Sequence, residues 1–184
     1  VKEYEAMSVA NSYVFSSSIS APWENQYRNI TSMEIGNNIK PISTAYWAYG
    51  LSYMTTGDFT KLDTSKVKDM SYMFYHAGYN ATTFELDLSG WNTSSVTDMS
   101  DMFSNAGYNA TTFSIGDLSS WDISSVLDMG WMFACAGYSA TTFDIGDLSG
   151  WNTSSVTDMS DMFNWAGDSA TTWTIGDLSS WNTA

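Results

Sequence analysis

The feature that most constrains the fold is an internal repeat of about 30 residues that runs through most of the chain. A tryptophan recurs at intervals of 30 residues, and a valine recurs at intervals of 29 or 30 residues. These residues are Trp91, Trp121, Trp151 and Trp181, and Val67, Val96, Val126 and Val156. A tandem array of this period is typical of a solenoid, in which each unit buries its apolar face against its neighbours. We therefore predict one elongated domain of stacked repeats.

One part of each repeat has the pattern of a strand. The stretch "TTFELDL", residues 82–88, alternates apolar and polar side chains at Phe84, Leu86 and Leu88, as a half-buried strand does. Three later repeats insert a glycine before the equivalent Asp-Leu pair, at Gly116, Gly146 and Gly176. A glycine at the end of a strand predicts a bulge or a tight bend there.

The other part of the repeat has the pattern of a short helix. In "VTDMSDMF", which occupies residues 96–103 and recurs unchanged at 156–163, apolar residues fall at i, i+3, i+6 and i+7. This spacing lines one face of a helix with Val, Met and Phe, and it favours core packing over a cofactor site. The two patterns together predict an α/β solenoid, a leucine-rich-repeat-like right-handed coil with one short strand and one short helix per repeat.

The array sets the expected domain organisation. Residues 1–29 lack the helix pattern, and we expect them to form an N-terminal cap over the first repeat. Residues 30–184 are expected to form about six coils of solenoid. The final "SSWNTA" stops shortly after the start of a motif that is complete elsewhere, so we expect the array to be truncated at its C-terminus and to belong to a longer chain.

A resemblance to a known family follows from the motif W-x-x-S-x-V-x-D/N-M-x-x-M-F. It begins at Trp91, where Val96, Asp98 and Met99 lead to Met102-Phe103, and it begins again at Trp121 and Trp151. The sequence resembles the BspA-type bacterial surface leucine-rich repeats. That resemblance implies a protein that is secreted or held on the bacterial cell surface and that attaches to molecules of a host or a neighbouring cell. The "GYNATTF" segment makes this repeat longer than the family's common unit.

The repeated aspartates before the methionines have two interpretations. An aspartate at a helix N-terminus accepts hydrogen bonds from free backbone N–H groups and suits the positive end of the helix. The stacking of equivalent aspartates also creates a ladder of like charges that Ca²⁺ could relieve. Because no recognised calcium loop occurs, we favour the structural interpretation, with no metal or other cofactor. The predicted helix caps are Asp69, Asp98, Asp128 and Asp158.

Two further groups of polar residues are candidates for ligand binding. Acidic residues on and beside the strands could form an exposed binding face, or only a solvated surface that keeps the sheet soluble. Tyrosines in exposed turns are common recognition residues, although they could equally pack over the edge of the coil. The candidates are Glu85, Asp87, Asp117, Asp144 and Asp147 in the first group, and Tyr79, Tyr108 and Tyr138 in the second.

Composition narrows the classes of function. A formal net charge of -14 repels phosphate groups, which argues against nucleic acid or an anionic membrane as the partner. No apolar run is long enough for membrane insertion. The single histidine, His76, has no counterpart in other repeats, and no catalytic set can be assembled, so we expect no enzyme. We expect an extracellular adhesion module that binds a protein or glycan through its repeat face, or alternatively a passive stalk.

Overall fold

The protein is described by a computed structural model over residues 30–36 and 39–182. Each repeat contributes one strand of three residues. The strands are β1 (Ser32–Glu34), β2 (Thr56–Asp58), β3 (Thr83–Glu85), β4 (Thr112–Ser114), β5 (Thr142–Asp144) and β6 (Thr172–Thr174). Two short 3₁₀ helices span Leu148–Gly150 and Leu178–Ser180. The predicted N-terminal cap, residues 1–29, lies outside the described residues.

The strands pair in parallel, and each pair joins counterparts in neighbouring repeats. Strands β1 to β4 form one sheet in chain order, and β5 pairs with β6 in a second. The register joins equivalent positions, so that Phe84 pairs with Phe113 and Phe143 pairs with Trp173. This repeat-by-repeat parallel pairing is compatible with a solenoid.

The predicted helix is wrong, because the described residues contain no α-helix. The Met-Phe segment instead forms consecutive turns. The N–H groups of Met102 and Ser104 donate to the carbonyls three residues back, on Met99 and Asp101. Alternate N–H groups, those of Met99, Asp101 and Phe103, donate to the next repeat at distances of 2.8–2.9 Å. Their acceptors are the carbonyls of Asp128, Gly130 and Met132.

The backbone conformation explains why no helix forms. Asp101, Asn105 and Gly107 have φ values of 54°, 60° and 57°, which a right-handed helix cannot contain. Each left-handed residue turns the chain, so the backbone N–H groups cannot all find partners within their own repeat. Since buried N–H groups must be paired, the stacking of repeats completes the hydrogen bonding of the segment.

The predicted core residues of this segment are confirmed. Val96, Met99, Met102 and Phe103 have no exposed surface, because the successive turns return these side chains to the interior as a helix would. The core is continuous along the array, with Phe103 stacked on Phe133 at a centroid distance of 5.4 Å. Fully buried phenylalanines of this kind form ladders through several repeats.

Candidate functional site

The aspartates predicted as helix caps have no helix to cap, and they stabilise turns instead. Oδ1 of Asp98 accepts hydrogen bonds from the backbone N–H of Ser100 (2.9 Å) and from its hydroxyl (2.7 Å). Oδ1 of Asp128 accepts from the N–H of Gly130 in the same way. Asp69 and Asp158 bond to the residue two positions on, Ser71 and Ser160. These aspartates therefore accept hydrogen bonds from backbone N–H groups as expected, but they do so in Asx turns.

The same Asx turn recurs at several corners of each repeat. Asp117 bonds to the N–H of Ser119, and Asp122 bonds to the N–H of Ser124. The signal in the sequence is an Asp or Asn followed two residues later by Ser, Thr or Gly, and our sequence analysis did not use it. Much of the acidic composition is therefore explained by local structure.

The acidic candidates for ligand binding lie at the surface, and the four aspartates among them accept hydrogen bonds from their own chain. Glu85, Asp87, Asp117, Asp144 and Asp147 are all exposed. Oδ1 of Asp87 accepts from the hydroxyl and the N–H of Ser89, and these bonds lower the pKa of Asp87. The pKa of Asp147 is likewise lowered by its bonds from the N–H and hydroxyl of Ser149. The structure gives a structural role to the four aspartates, and ligand binding by the five acidic residues stays a prediction.

The tyrosine candidates come together as a stack. Tyr108 lies between Tyr79 and Tyr138, with centroid distances of 4.8 Å and 4.6 Å and planes within 15° and 4° of parallel. All three are partly exposed. Because both faces of Tyr108 are covered by its neighbours, the stack presents ring edges and hydroxyl groups to solvent.

This stack is the centre of a longer path of aromatic rings. On one side Tyr79 stacks on His76, which contacts Tyr75. Tyr75 belongs to a block of four tyrosines in which Tyr46 stacks on Tyr72 and Tyr49 stacks on Tyr75, both at 5.0 Å. On the other side Tyr138 contacts Trp165 at 6.3 Å. We call this path the aromatic ribbon, comprising Tyr46, Tyr49, Tyr72, Tyr75, His76, Tyr79, Tyr108, Tyr138 and Trp165.

Several residues of the ribbon occupy left-handed backbone positions that glycine normally fills. Non-glycine residues with positive φ fall in two columns of equivalent positions, with φ between 54° and 63°. The first column is Tyr46, Tyr72, Asp101, Trp131 and Asp161, and the second is His76, Asn105, Cys135 and Trp165. Such a conformation costs an L-residue about 1–2 kcal/mol. Retaining bulky side chains where glycine would relieve the strain is typical of functional positions.

The two columns and the ribbon share one surface, which we call the turn face. It is the outward surface of residues 46–49, 72–79, 101–108, 131–138 and 161–168. Trp131 and Trp165 project from it with 44% and 58% of their surface exposed. Sequence reasoning missed both tryptophans and the four-tyrosine block, because these residues differ between repeats and only the stacking brings them together.

The turn face is acidic as well as aromatic. The Tyr72 hydroxyl donates to the Asp101 carboxylate, and burial together with this bond raises the pKa of Tyr72 to about 12. Burial raises the pKa of Asp101, and the charges of Asp128 and Asp98 raise it further, against the lowering effect of its hydrogen bonds. Asp168 lies beside Tyr138, and its negative charge raises the pKa of that phenol.

Comparison with known proteins identifies a family for this chain. The sequence pattern of the family described as "Mycoplasma protein of unknown function, DUF285" matches residues 43–168 and again residues 108–184. The two matches together cover well over half of the chain. The chain belongs to the DUF285 family. No curated protein and no solved structure matches it. The overlap of the two matches fits the repetition of the sequence.

Neither a metal site nor a membrane-spanning helix is found in the part of the DUF285 chain that the structure describes. Over residues 30–36 and 39–182, no group of three or more His, Cys, Asp or Glu side chains is placed to hold a metal ion. Equivalent aspartates do face one another across repeats, as Asp98 and Asp128 do. Their carboxylates accept hydrogen bonds from the chain itself. Within the same residues, no helix has the length and apolar character needed to cross a membrane.

Two aspartates of the DUF285 chain are expected to affect stability with opposite signs. The pKa of Asp101 is raised in the folded state, so its ionised carboxylate weakens folding at neutral pH, and this penalty disappears as pH falls through the folded pKa. We therefore expect Asp101→Asn to raise the melting temperature at neutral pH. The difference from the parent chain should shrink to nothing below about pH 3, where the carboxylate is protonated in both states.

Asp158→Asn is the matched control for this pH dependence. Hydrogen bonds from Ser160 lower the pKa of Asp158, so its carboxylate stabilises the fold above its unfolded pKa and loses that effect on acidification. Asn152 makes the same turn in this chain, so the asparagine preserves the geometry. Melting curves recorded from acid to neutral pH should show that this variant has a lower melting temperature than the parent chain at neutral pH. Equal changes in melting temperature from the two substitutions would contradict the opposite pKa shifts assigned to Asp101 and Asp158.

Proposed function

We propose that this DUF285 chain is a non-enzymatic binding module of the bacterial cell surface, either secreted or part of a longer surface protein. In this proposal the repeats form a right-handed solenoid related to the BspA-type leucine-rich repeats. The module attaches to a protein or glycan of a host or neighbouring cell through the turn face. The ligand-binding residues are then those of the aromatic ribbon, with Tyr79, Tyr108 and Tyr138 at its centre, together with Trp131 of the turn face.

The observation that carries this proposal is the aromatic ribbon itself. The core has its own ladder of fully buried phenylalanines, such as Phe74, Phe103 and Phe133, and of the ribbon only Tyr46 is among the partly buried residues packed against that core. A contiguous exposed aromatic surface marks an interaction site more often than it serves stability. Tyrosine and tryptophan are the residues that most often dominate binding energy. The ribbon also spans several repeats, as an extended binding face requires.

Repetition supports binding rather than catalysis. An active site is a single asymmetric group of residues, whereas the tyrosine stack at the centre of this surface recurs through three repeats. The one histidine of the chain, His76, is packed between Tyr75 and Tyr79. Burial lowers the pKa of its imidazole, and it belongs to the stack of rings.

A passive stalk is the alternative, and one observation favours it. The acidic side chains that could have bound a ligand are largely occupied by bonds from their own backbone, as Asp87 and Asp147 are. In a stalk the repeats would supply only length and solubility, and binding would reside in another part of a larger protein.

A screen against glycans and extracellular matrix proteins tests the proposal. The variant Trp131→Gly, Trp165→Asn removes two exposed rings and suits the left-handed backbone, since Asn105 already occupies the position equivalent to Trp165. We expect the parent chain to bind a ligand and this variant to lose at least about tenfold in affinity, because truncating a binding hot spot costs about 2 kcal/mol or more.

Leu127→Thr is the control variant for the screen. Leu127 is 49% exposed but lies outside the turn face, and the equivalent positions hold Thr97 and Thr157. This variant should bind as the parent chain does, with an unchanged melting temperature. The stalk is supported instead if the parent chain binds nothing, or if loss of the two tryptophans leaves the affinity unchanged.

A further inference from the structure

The charge of the chain is segregated along the array. All six lysines and arginines precede residue 69, together with six of the twenty acidic residues. Residues 69–184 carry the other fourteen acidic residues and no lysine or arginine. The whole formal charge of -14 therefore belongs to the last four repeats, which hold most of the turn face. A surface with charge of only one sign attracts a partner of the opposite sign.

On the turn face, carboxylates alternate with aromatic rings. The first left-handed column runs Tyr72, Asp101, Trp131 and Asp161 through four successive repeats. Each of the first three donates its N–H to the residue that precedes the next member of the column, as Asp101 N–H does to the carbonyl of Gly130 (2.9 Å). Neighbouring parallel strands lie about 4.8 Å apart. Trp131 therefore has an aspartate at the equivalent position of each neighbouring repeat, Asp101 on one side and Asp161 on the other.

The ribbon is poorly suited to stacking against sugar rings. A pyranose packs against the open face of an aromatic ring, but Tyr108 has both faces covered by Tyr79 and Tyr138. What remains accessible along this stack is a row of ring edges and phenol oxygens, continued at the next equivalent position by the carboxylate of Asp168. Such a row accepts hydrogen bonds from cationic donors.

Trp131 projects from the turn face into solvent. Within the part of the chain that the structure describes, no aromatic ring stacks on Trp131, and 44% of its surface is exposed. A guanidinium group can stack on an indole and bond to a carboxylate at the same time, because it is planar and carries donors along its edge. Trp131 between Asp101 and Asp161 provides both kinds of contact.

We propose that the ligand of the turn face is a basic, arginine-rich polypeptide segment. This inference rests on the proposed function, and it names the partner class. The segment lies along the array, its guanidinium groups stack on Trp131 and Trp165, and they bond to Asp101, Asp161 and Asp168. The tyrosine stack contributes hydroxyl groups to the same row of acceptors.

The test measures binding of an unstructured peptide of alternating arginine and serine by calorimetry at several salt concentrations. A peptide with lysine in place of arginine and a neutral oligosaccharide serve as comparison ligands. We expect the arginine peptide to bind more tightly than the lysine peptide, the neutral sugar not to bind, and affinity to fall with salt because exposed charges are screened.

Two double variants with equal changes in charge locate the contact. Asp101→Asn with Asp161→Asn removes two carboxylates of the turn face, and we expect at least tenfold weaker binding with a smaller salt dependence. Asp122→Asn with Asp144→Ser removes two carboxylates elsewhere, at positions where other repeats hold Asn92, Asn152 and Ser114. This control should stay within about twofold of the parent chain, since charges beyond about 8 Å are largely screened at physiological salt.

Trp131→Gly separates ring stacking from charge. It should weaken binding of the arginine peptide more than binding of the lysine peptide, and it should leave the salt dependence of binding unchanged. The inference is overturned if both charge variants weaken binding equally, since the attraction would then be non-specific, or if the arginine peptide does not bind. If a neutral glycan from the screen binds and depends on Trp131 and Trp165, the proposed function stands and this inference fails. If neither glycan, matrix protein nor peptide binds, both fail.

Discussion

Phe133→Ala is expected to lower the free energy of unfolding by about 3–5 kcal/mol, the usual loss for removing a fully buried phenylalanine. Phe133 has no exposed surface and stacks between Phe103 and Phe163, each at a centroid distance of 5.4 Å. Its removal leaves a cavity in the middle of the array that neighbouring repeats cannot fill. For a chain of this size the loss corresponds to a fall in melting temperature of roughly 6–20 °C, which thermal and urea unfolding would measure.

Tyr108→Ala is the matched control, because it removes the middle ring of an equally regular stack at the surface. Its centroid distances to Tyr79 and Tyr138 are even shorter than those of Phe133 to its neighbours. If burial stabilises the fold, this variant should lose only about 1 kcal/mol. Equal losses from the two substitutions would show that ring stacking itself holds the repeats together. The aromatic ribbon would then have a structural explanation.

The period and core of the array could be predicted from the sequence because both depend on where apolar residues recur. Val96, Met99, Met102 and Phe103 are buried as their spacing indicates. That spacing does not specify the backbone, however, since a helix and a series of turns can direct the same side chains inward. A series of turns differs from a helix in having left-handed φ values at residues such as Asp101 and Trp131. Nothing in the type of these residues requires such values.

The hydrogen bonds between repeats also explain why the sequence predicts a helix where the structure has turns. An isolated repeat with this backbone would leave the N–H groups of Met99 and Phe103 without acceptors, and a prediction made from one repeat therefore prefers a helix. In the array those groups bond to Asp128 and Met132 of the next repeat. The frequent Asp-x-Ser and Asn-x-Ser spacings were the available signal that the corners are Asx turns.

The turn face was less accessible to prediction than the core. Its three central tyrosines occupy the same position in three successive repeats, and these were identified from the sequence. The contact of Tyr138 with Trp165 joins different positions of neighbouring repeats. Such contacts depend on how the repeats stack, which becomes known only with the backbone.

Gly146→Ala is expected to destabilise the protein by about 2–3 kcal/mol. The sequence predicts a bend at this position, and Gly146 has a φ of +89° there. An alanine with this φ is strained by about 1–2 kcal/mol. An added Cβ would also collide with Oδ1 of Asp117 from the preceding repeat and lie 2.8 Å from its Cγ. The alanine would therefore displace the carboxylate that accepts from the N–H of Ser119, and so disturb two repeats at once.

Gly150→Ala provides the control for this prediction, four residues further along the same repeat. Its φ lies outside the left-handed region, and an added Cβ would meet no atom within 4 Å. It should change the free energy of unfolding by no more than about 0.5 kcal/mol, as exposed substitutions usually do. Gly116 and Gly176 repeat the geometry of Gly146 with φ values of +83° and +80°. Equal stabilities of Gly146→Ala and Gly150→Ala would therefore mean that the inserted glycines do not accommodate the aspartate of the preceding repeat, and that the extra residue in these repeats only lengthens the bend.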